Sequence, residues 1–193
     1  MGLSPLPQGY RFYYTLHPRP TVLLATRCPN GRVNLMPASW NMPVSEEPPT
    51  IAVAIDKESY TFECLEYHPE ATINIPSSQH LDLVYALGSV SGRSIDKVNR
   101  YGIQLEESLR ISVPRWKDAI ASIEAKVYEK LDVGEVGLYV FEVVGVYVDL
   151  DLYTRWGWDF RKTNLLLHGA GRSFYLVGKW LRAKKNRDPT QVY

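Results

Sequence analysis

A lysine and two hydroxyl residues lie together where a strand-like segment gives way to a helix-like one. Lys57, Ser59 and Thr61 directly follow an alternating apolar run, and serine is a residue type that caps helices. The first turn of a helix leaves backbone N–H groups without partners, and the helix dipole places positive charge there. Because Lys57 adds a full charge and both hydroxyls can donate hydrogen bonds, the segment predicts a phosphate site. The alternative interpretation is plain helix capping beside a solvated lysine.

A second candidate anion site is a loop of small residues that also carries cations. Residues 88–94 have the sequence Gly-Ser-Val-Ser-Gly-Arg-Ser, and Lys97 follows shortly after. Small residues such as Ser91 and Gly92 let the backbone approach a ligand closely, while the planar guanidinium of Arg93 matches phosphate or carboxylate. The loop lacks the Gly-Lys-Ser/Thr ending of a Walker A motif. It is therefore either a ligand-binding loop or a flexible surface loop.

The third candidate is the segment 34–44, which contains Pro37 and Pro43. Proline disfavours regular ladder pairing, so the N–H groups between the two prolines are free to face a ligand instead of a neighbouring strand. The residues between them that we select are Ala38, Ser39, Trp40 and Asn41. The edge of a flavin ring presents hydrogen-bond acceptors and would suit such a row of donors. The alternative interpretation is an irregular edge strand.

Strands dominate the elements that must position these three segments. Runs rich in β-branched and aromatic residues, or alternating in polarity, predict extended segments at 9–16, 22–27, 33–40, 50–55, 71–75, 121–130 and 138–150. Capping residue types predict short helices at 59–67, at 77–87 with Gly88 just beyond, and at 94–101. Many short strands with few helices, and neither βαβ alternation nor a GxGxxG motif, predict a mainly β barrel and not a Rossmann domain.

Length and composition limit the class of protein. The 193 residues fit one domain, 1–193, in which the segment from about residue 151 is an arm that packs on the barrel or on a second copy. The net charge of +1 gives no electrostatic reason to expect nucleic acid as a partner. No apolar run is long enough to predict a membrane span, and the first ten residues do not resemble a signal peptide, so we expect a cytoplasmic protein. Thirteen tyrosines and five tryptophans favour β structure and self-association.

Cysteine and histidine usage argues against a metal centre. Cys28 and Cys64 are far apart in sequence and have no CxxC spacing, so we expect two buried or loop thiols, with neither a disulfide nor a metal site. The four histidines, His17, His68, His80 and His168, are scattered along the chain. We predict no metal ligand and no catalytic acid–base residue.

Taken in order, these motifs resemble the flavin reductase-like family, which includes the flavoredoxins. The similarity covers about residues 18–150 and rests on the stretches 18–20, 31–34, 37–40, 43–44, 48–55, 57–61, 72–76 and 86–97. The resemblance implies an FMN-binding split β-barrel of Greek-key type with a few short helices. It also implies a homodimer with the flavin near the subunit interface.

The resemblance assigns roles to the three candidate segments. The segment 38–41 would line the isoalloxazine ring, the segment 57–61 would hold the phosphate, and the segment 91–97 would close over the same site. The cofactor-binding residues implied in this way are Pro37, Ala38, Ser39, Trp40, Asn41, Lys57, Ser59, Thr61, Ser91, Gly92, Arg93 and Lys97. Asn74 also matches the family, although a structural asparagine near a strand end explains it equally well.

The function implied is an oxidoreductase that holds FMN noncovalently and passes electrons from NAD(P)H to a flavin, a ferric chelate or another acceptor. The alternative is a non-enzymatic carrier that docks on a redox protein; a weaker alternative is a pyridoxal phosphate or haem binder on the same barrel. The reductases often have a nicotinamide-binding histidine in the hairpin spelled here by residues 134–138, and none is present. The stretch 168–172 either substitutes for it through His168 or is a simple glycine turn, which is the interpretation we favour.

Two features of the last third of the chain lie outside the stretch 18–150 that resembles the family. The cluster Trp156, Trp158 and Phe160 either covers a flavin face by stacking or packs across a dimer, and we favour the dimer. The basic stretch 182–187 predicts a solvated end of the chain.

Overall fold

A computed structural model describes residues 2–183 of the chain. Its strands are β1 (Arg19–Pro20), β2 (Val22–Arg27), β3 (Val33–Ala38), β4 (Asn41–Glu46), β5 (Pro49–Asp56), β6 (Glu70–Ile75), β7 (Leu105–Glu106), β8 (Arg115–Trp116), β9 (Ala121–Val133), β10 (Val136–Val148), β11 (Tyr153–Thr154), β12 (Gly157–Trp158), β13 (Leu167–His168) and β14 (Phe174–Tyr175). Its α-helices are α1 (Tyr60–Tyr67), α2 (Leu81–Gly88) and α3 (Lys97–Tyr101), and 3-10 helices span Phe12–Leu16 and Ser78–His80. No helix in this part of the chain is long and apolar enough to cross a membrane.

Seven antiparallel strands form the main sheet in the order β3-β2-β6-β9-β10-β5-β4. The two outer strands, β3 and β4, are consecutive in the chain and are joined only by Ser39 and Trp40. A flat sheet of seven strands would be about 29 Å across, whereas a two-residue link spans about 11 Å at most. The sheet must therefore curl until its edges approach each other, and because β3 and β4 share no ladder the barrel stays split along this line.

Both faces of the sheet are buried around β2, which explains its unbroken apolar run. Val22 and Leu24 belong to the cluster inside the barrel, together with Phe141 of β10. Leu23 points the other way, into a second cluster with Trp116 that packs beneath α2 and α3. Alternate residues of one strand thus serve two cores, as the two-residue period of a strand requires. The second core fixes α2 and α3 against the outer face of β2 and β3.

The structure confirms the predicted strands from residue 22 onward and the helix with the Ser59 cap. The prediction of an extended segment at 9–16 is wrong, since Phe12–Leu16 form a 3-10 helix. The prediction that Gly88 follows its helix is also wrong. Gly88 is the last residue of α2, at a point where an added Cβ would lie 2.9 Å from Pro37 Cγ. The glycine therefore permits close approach of α2 to β3.

The prediction of two thiols is wrong, because Cys28 and Cys64 form a disulfide. Cys28 lies just after β2, Cys64 lies on α1, and their Cα atoms are 4.2 Å apart. Both half-cystines are fully buried and form a small cluster with Tyr60. Sequence spacing could not reveal this pairing, since it depends on α1 folding back over the end of the β2–β3 hairpin.

The segment after β12 returns to the barrel beside β1. The sheet β1-β13-β14 is held by the pairing of Arg19 with His168, and Leu166 is buried in the second core. The tryptophan cluster lies apart from it: Trp156 is exposed beneath the Arg155 guanidinium, and the Tyr153 and Trp158 rings pack edge to face. The predicted solvated stretch 182–187 lies mostly outside the described residues.

Candidate functional site

A cleft follows the free edge of β3. Two cavities of about 360 and 430 Å3 lie along it, share Gly88 and Ser89 as lining residues, and are together called the cleft. Residues 37–39 line the first cavity, and Asn34 and Met36 line the second. Since strand residues are about 3.4 Å apart, this wall is roughly 17 Å long. The end of α2 and the loop that follows it form the opposite wall.

One end of the cleft is rich in backbone donors. At the start of α1, the Ser59 hydroxyl accepts the amide of Phe62 at 3.2 Å, but the amides of Tyr60 and Thr61 have no acceptor within residues 2–183. The same holds for the amides of residues 90–92 in the facing loop. A helix start and a loop with unpaired amides line one cavity, an arrangement that favours an anion.

Two polar side chains complete this end of the cleft. Asn34 Nδ2 donates to Thr61 Oγ1 at 2.9 Å, which leaves the Thr61 hydroxyl proton to be donated. Asn34 Oδ1 is buried without a hydrogen-bond partner in the described structure. A buried, unpartnered acceptor is costly, so a ligand that donates a hydrogen bond there would remove that cost. The end therefore offers donors for an anion and one acceptor for a hydroxyl.

Lys97 supplies the cation at this end of the cleft. Its side chain is buried, and Nζ donates to the carbonyl oxygens of Leu35 at 2.9 Å and Leu87 at 2.7 Å. These bonds tie the end of α2 to β3 and so hold the two walls together. Burial lowers the pKa of Lys97 to about 8, because the charged form loses hydration. Asp56 and Glu58 also line this cavity, and Asp56 Oδ1 accepts the backbone amide of Glu58 at 2.8 Å.

The other end of the cleft is mainly apolar. Pro37, Ala38, Val84, Tyr85 and Phe174 line it. Its polar groups are few and convergent: Ser39 Oγ lies 3.3 Å from His168 Nδ1, and the buried Thr21 hydroxyl has no partner in the described chain. A mainly apolar cavity with a few polar groups is typical of a site for a small-molecule ligand and suits an aromatic ring.

The family model described as the flavin reductase like domain matches residues 14–173, most of the chain. The chain belongs to the flavin reductase-like family. The uncharacterised protein YddH of Escherichia coli is 34% identical to it over 169 residues, which are 85% of this chain and 89% of YddH.

Two solved structures to which the chain is similar support this family assignment. Flavoredoxin of Desulfovibrio vulgaris is 25% identical with a TM-score of 0.81, over 95% of this chain and 99% of that one. The FMN-binding protein from Thermus thermophilus, solved with bound 1-cyclohex-2-enone, is 26% identical with a TM-score of 0.78. The match covers 95% of this chain and 98% of that one. The fold is therefore the split barrel of FMN-binding flavin reductase-like proteins.

Most of the residues predicted for the site line the cleft of this flavin reductase-like chain. At the apolar end they are Pro37, Ala38 and Ser39, and at the donor-rich end they are Ser59, Thr61, Ser91, Gly92 and Lys97. The structure thus brings together residues from three separate segments on the two walls of one cleft.

Four of the predicted residues do not line the cleft. Lys57 Nζ donates to the Gly134 carbonyl at 3.0 Å, and Arg93 pairs with Glu63 at 2.9 Å while lying over the Tyr60 ring. Trp40 packs against Tyr13, and Asn41 Nδ2 donates to the carbonyls of Pro20 and Ala38. Their polar groups and rings are engaged by other parts of the protein.

Asn34 belongs to the third candidate segment but is absent from the predicted cofactor-binding residues, and for His168 the favoured interpretation was a glycine turn. Asn34 belongs to a matched stretch of the family, but its role depends on contact with Thr61. His168 lies on β13 and lines the cleft, so the glycine-turn interpretation applies only to residues 169–173. Asn74, in contrast, is structural: it bonds Leu23, Thr72, Trp116 and Ser122 in the interior.

Lys97 predicts an unusual pH dependence of stability in the flavin-free protein. Its pKa of about 8 is below the value of 10.5 for an exposed lysine, so between pH 8 and 10.5 the unfolded chain binds more protons. Stability from this group therefore rises with pH through that window. We expect the free energy of unfolding to gain about 2 kcal/mol between pH 8 and 10 relative to Lys97→Met. Denaturant titrations of both proteins measure this difference, and parallel pH profiles would contradict it.

Proposed function

We propose that the cleft binds FMN noncovalently and that the chain passes electrons through this flavin. The observation that carries the proposal is the division of one cleft into a donor-rich end and an apolar end along a single edge strand. FMN has the same division, since its phosphate is an anion and its ring is flat. The FMN-binding protein and the flavoredoxin to which the chain is similar support the same ligand.

The unpartnered groups at the donor-rich end fit the phosphate and ribityl parts of FMN. The free amides of Tyr60, Thr61 and Gly92, with the Lys97 ammonium, would bind the phosphate. Asn34 Oδ1 requires a donor, which a ribityl hydroxyl provides. The donor set therefore selects a phosphorylated, hydroxyl-bearing ligand.

The apolar end fits the ring, and the chain needs no acid–base residue of its own for hydride chemistry there. FMN, when bound, supplies the redox chemistry. The protein's residues orient the ring between Pro37 and Tyr85, exclude water with Val84 and Phe174, and offer the Ser39 hydroxyl as a hydrogen-bonding group.

As electron donor we propose NAD(P)H, with a free flavin, a ferric chelate or another small molecule as acceptor. A second candidate is a carrier that exchanges electrons with a redox protein. Two observations favour the carrier. The hairpin 134–138 contains no histidine and contacts Lys57 instead of the cleft, and the chain is similar to a flavoredoxin.

Binding of FMN and of riboflavin by the flavin-free protein tests the proposal. Because the phosphate would meet free amides and a buried ammonium, we expect FMN to bind about 100-fold more tightly than riboflavin, a difference of about 3 kcal/mol. Quenching of flavin fluorescence measures both affinities. Equal affinities, or no quenching by FMN, would reject the assignment. Anaerobic addition of NADH and NADPH to the FMN-loaded protein then separates the reductase from the electron carrier. Only a reductase should lose its flavin absorbance rapidly.

We also propose a homodimer. Strand β4 is an edge strand whose Met42 and Val44 are about half exposed, and it begins directly after the Ser39–Trp40 link beside the cleft. An exposed edge with apolar side chains is a surface that natural proteins usually cover. Light scattering of the purified chain should give twice the mass of one copy, and a monomer would reject the proposal.

A further inference from the structure

Two arginines without carboxylate partners lie beside the apolar end of the cleft. Among residues 2–183, Arg19 and Arg172 have no aspartate or glutamate oxygen within 4 Å, and neither guanidinium donates a hydrogen bond. Other arginines, such as Arg93 and Arg161, are paired with carboxylates. We call Arg19 and Arg172 the arginine pair. The N–H donors of their guanidinium groups are available to a ligand.

Strand pairing places Arg19 next to the cleft. Arg19 of β1 lies directly opposite His168 of β13. The side chains of such a pair project from the same face of the sheet, with Cβ atoms about 5 Å apart. His168 lines the first cavity, and its Nδ1 lies 3.3 Å from Ser39 Oγ, just after β3. The Arg19 side chain therefore starts beside an imidazole that forms part of the cavity wall.

Arg172 reaches the same cavity from the turn after β13. The Gly171 carbonyl oxygen lies 3.3 Å from His168 Nε2, so the turn folds back over the imidazole. The Arg172 guanidinium carbon lies 5.4 Å from the centre of the Tyr85 ring, and Tyr85 lines the opposite wall of the cavity. This cation–π contact holds a positive charge at the mouth of the cavity and leaves the N–H groups free.

The lining of the first cavity is matched to these cations. Within the described chain it contains no aspartate or glutamate, whereas Asp56 and Glu58 line the second cavity. Arginine binds a carboxylate through paired N–H groups and also stacks on planar rings. A mainly apolar cavity with guanidinium groups at its edge therefore suits a ligand that has a flat apolar body and one anionic group.

We propose that the arginine pair and the first cavity form a binding site for an aromatic carboxylate, an inference that rests on the proposed function. The guanidinium groups of Arg19 and Arg172 hold the carboxylate at the mouth, and the aromatic ring enters the apolar cavity, which it shares with the flavin. Aromatic acids are then the class of small molecule that reaches the bound flavin, and their neutral analogues are bound poorly.

Calorimetric titration of the FMN-loaded protein with benzoate and with benzamide tests this site. The two molecules have nearly the same shape, and only benzoate is an anion. We expect benzoate to bind about 10-fold more tightly than benzamide, and this preference should decrease as the ionic strength rises. Benzoate should also shift the flavin absorption bands, because its ring would lie beside the flavin. Equal affinities for the two molecules would overturn the proposal.

Single substitutions test the two arginines. Arg19→Gln and Arg172→Gln should each weaken benzoate binding about 10-fold and leave benzamide binding unchanged, because a charge-assisted hydrogen bond is lost. Arg155→Gln is the matched control: the Arg155 guanidinium also lies over an aromatic ring, 4.5 Å from that of Trp156, and neither residue lines the cleft. It should bind benzoate as the wild type does. The proposal is wrong if both Arg19→Gln and Arg172→Gln keep the wild-type affinity for benzoate.

Titration of the flavin-free protein separates this inference from the proposed function. The arginine pair belongs to the chain itself, so benzoate should keep its preference over benzamide without FMN. A wild type that binds FMN and not benzoate rejects the carboxylate site alone. A wild type that binds benzoate and no FMN rejects the proposed function and supports the site. If benzoate does not bind and Arg172→Gln weakens NADPH more than NADH, the pair holds a phosphate and the carboxylate assignment is wrong.

Discussion

Replacing Gly92 by alanine is expected to weaken FMN binding about 100-fold, or about 3 kcal/mol. An added Cβ would lie 2.8 Å from Asn34 Cγ and 3.1 Å from Tyr60 Cδ1, distances that these packed neighbours cannot accept without moving. The loop must then shift away from Asn34, and its free amides leave the place where the phosphate would bind. Fluorescence titration of the purified variant with FMN measures the loss.

Two comparisons show whether the loss arises at the phosphate end. Gly178→Ala adds the same methyl group where nothing lies within 4 Å, so it should leave FMN affinity unchanged. Lumiflavin, which has the ring but no ribityl phosphate, should bind wild type and Gly92→Ala with similar affinity. An unchanged FMN affinity in Gly92→Ala would show that the loop does not contact the cofactor.

The barrel could be predicted from sequence because its signals are local. The Asn30-Gly31 turn between two apolar runs specifies the first hairpin, and alternation over residues 138–150 marks the long strand β10. The 3-10 helix at 12–16 was not predicted, because its aromatic residues also suit a strand. The prediction that Pro37 prevents regular strand pairing is wrong. Pro37 pairs across from Leu23, because β3 is an edge strand and needs hydrogen-bond partners on one side only.

The sequence did not show which cationic side chain lines the cleft. Lys57, Arg93 and Lys97 were equally good candidates, because a sequence gives the charge of a side chain and not its direction. Arg93 is held by Glu63, and Lys57 is turned toward the β9–β10 hairpin. Lys97 alone of the three lines the cleft, where two carbonyl oxygens hold it.

Contacts between distant segments could not be predicted at all. Ser39 and His168 are separated by 129 positions and meet only because β13 pairs with β1 at the open edge of the barrel. The two cysteines are separated by 36 positions and meet only because α1 folds over the hairpin. In both cases the residue types were visible, and the geometry that gives them a role is tertiary.

Removing the Cys28–Cys64 disulfide is expected to lower the free energy of unfolding by about 3–4 kcal/mol. The bond closes a loop between positions 36 residues apart, and a loop of this size restricts the unfolded chain by roughly that amount. The double variant Cys28→Ala/Cys64→Ala avoids leaving a free thiol in the buried cluster. Urea titration of wild type and double variant, each without flavin, measures the difference. Tyr60 packs with both half-cystines and lines the cleft, so FMN affinity should also fall, though less than in Gly92→Ala.

Reduction of the wild type separates the cross-link from the loss of side-chain packing. Wild type unfolded with a dithiol present should show a stability close to that of the double variant, because both lack the covalent constraint on the unfolded chain. Since both half-cystines are fully buried, the folded wild type should resist the same reductant until it opens. Because a disulfide has no thiol to react, alkylation of the denatured, unreduced protein should label no cysteine. Two labelled cysteines, or equal unfolding free energies for wild type and double variant, would show that the bond does not stabilise the fold in solution.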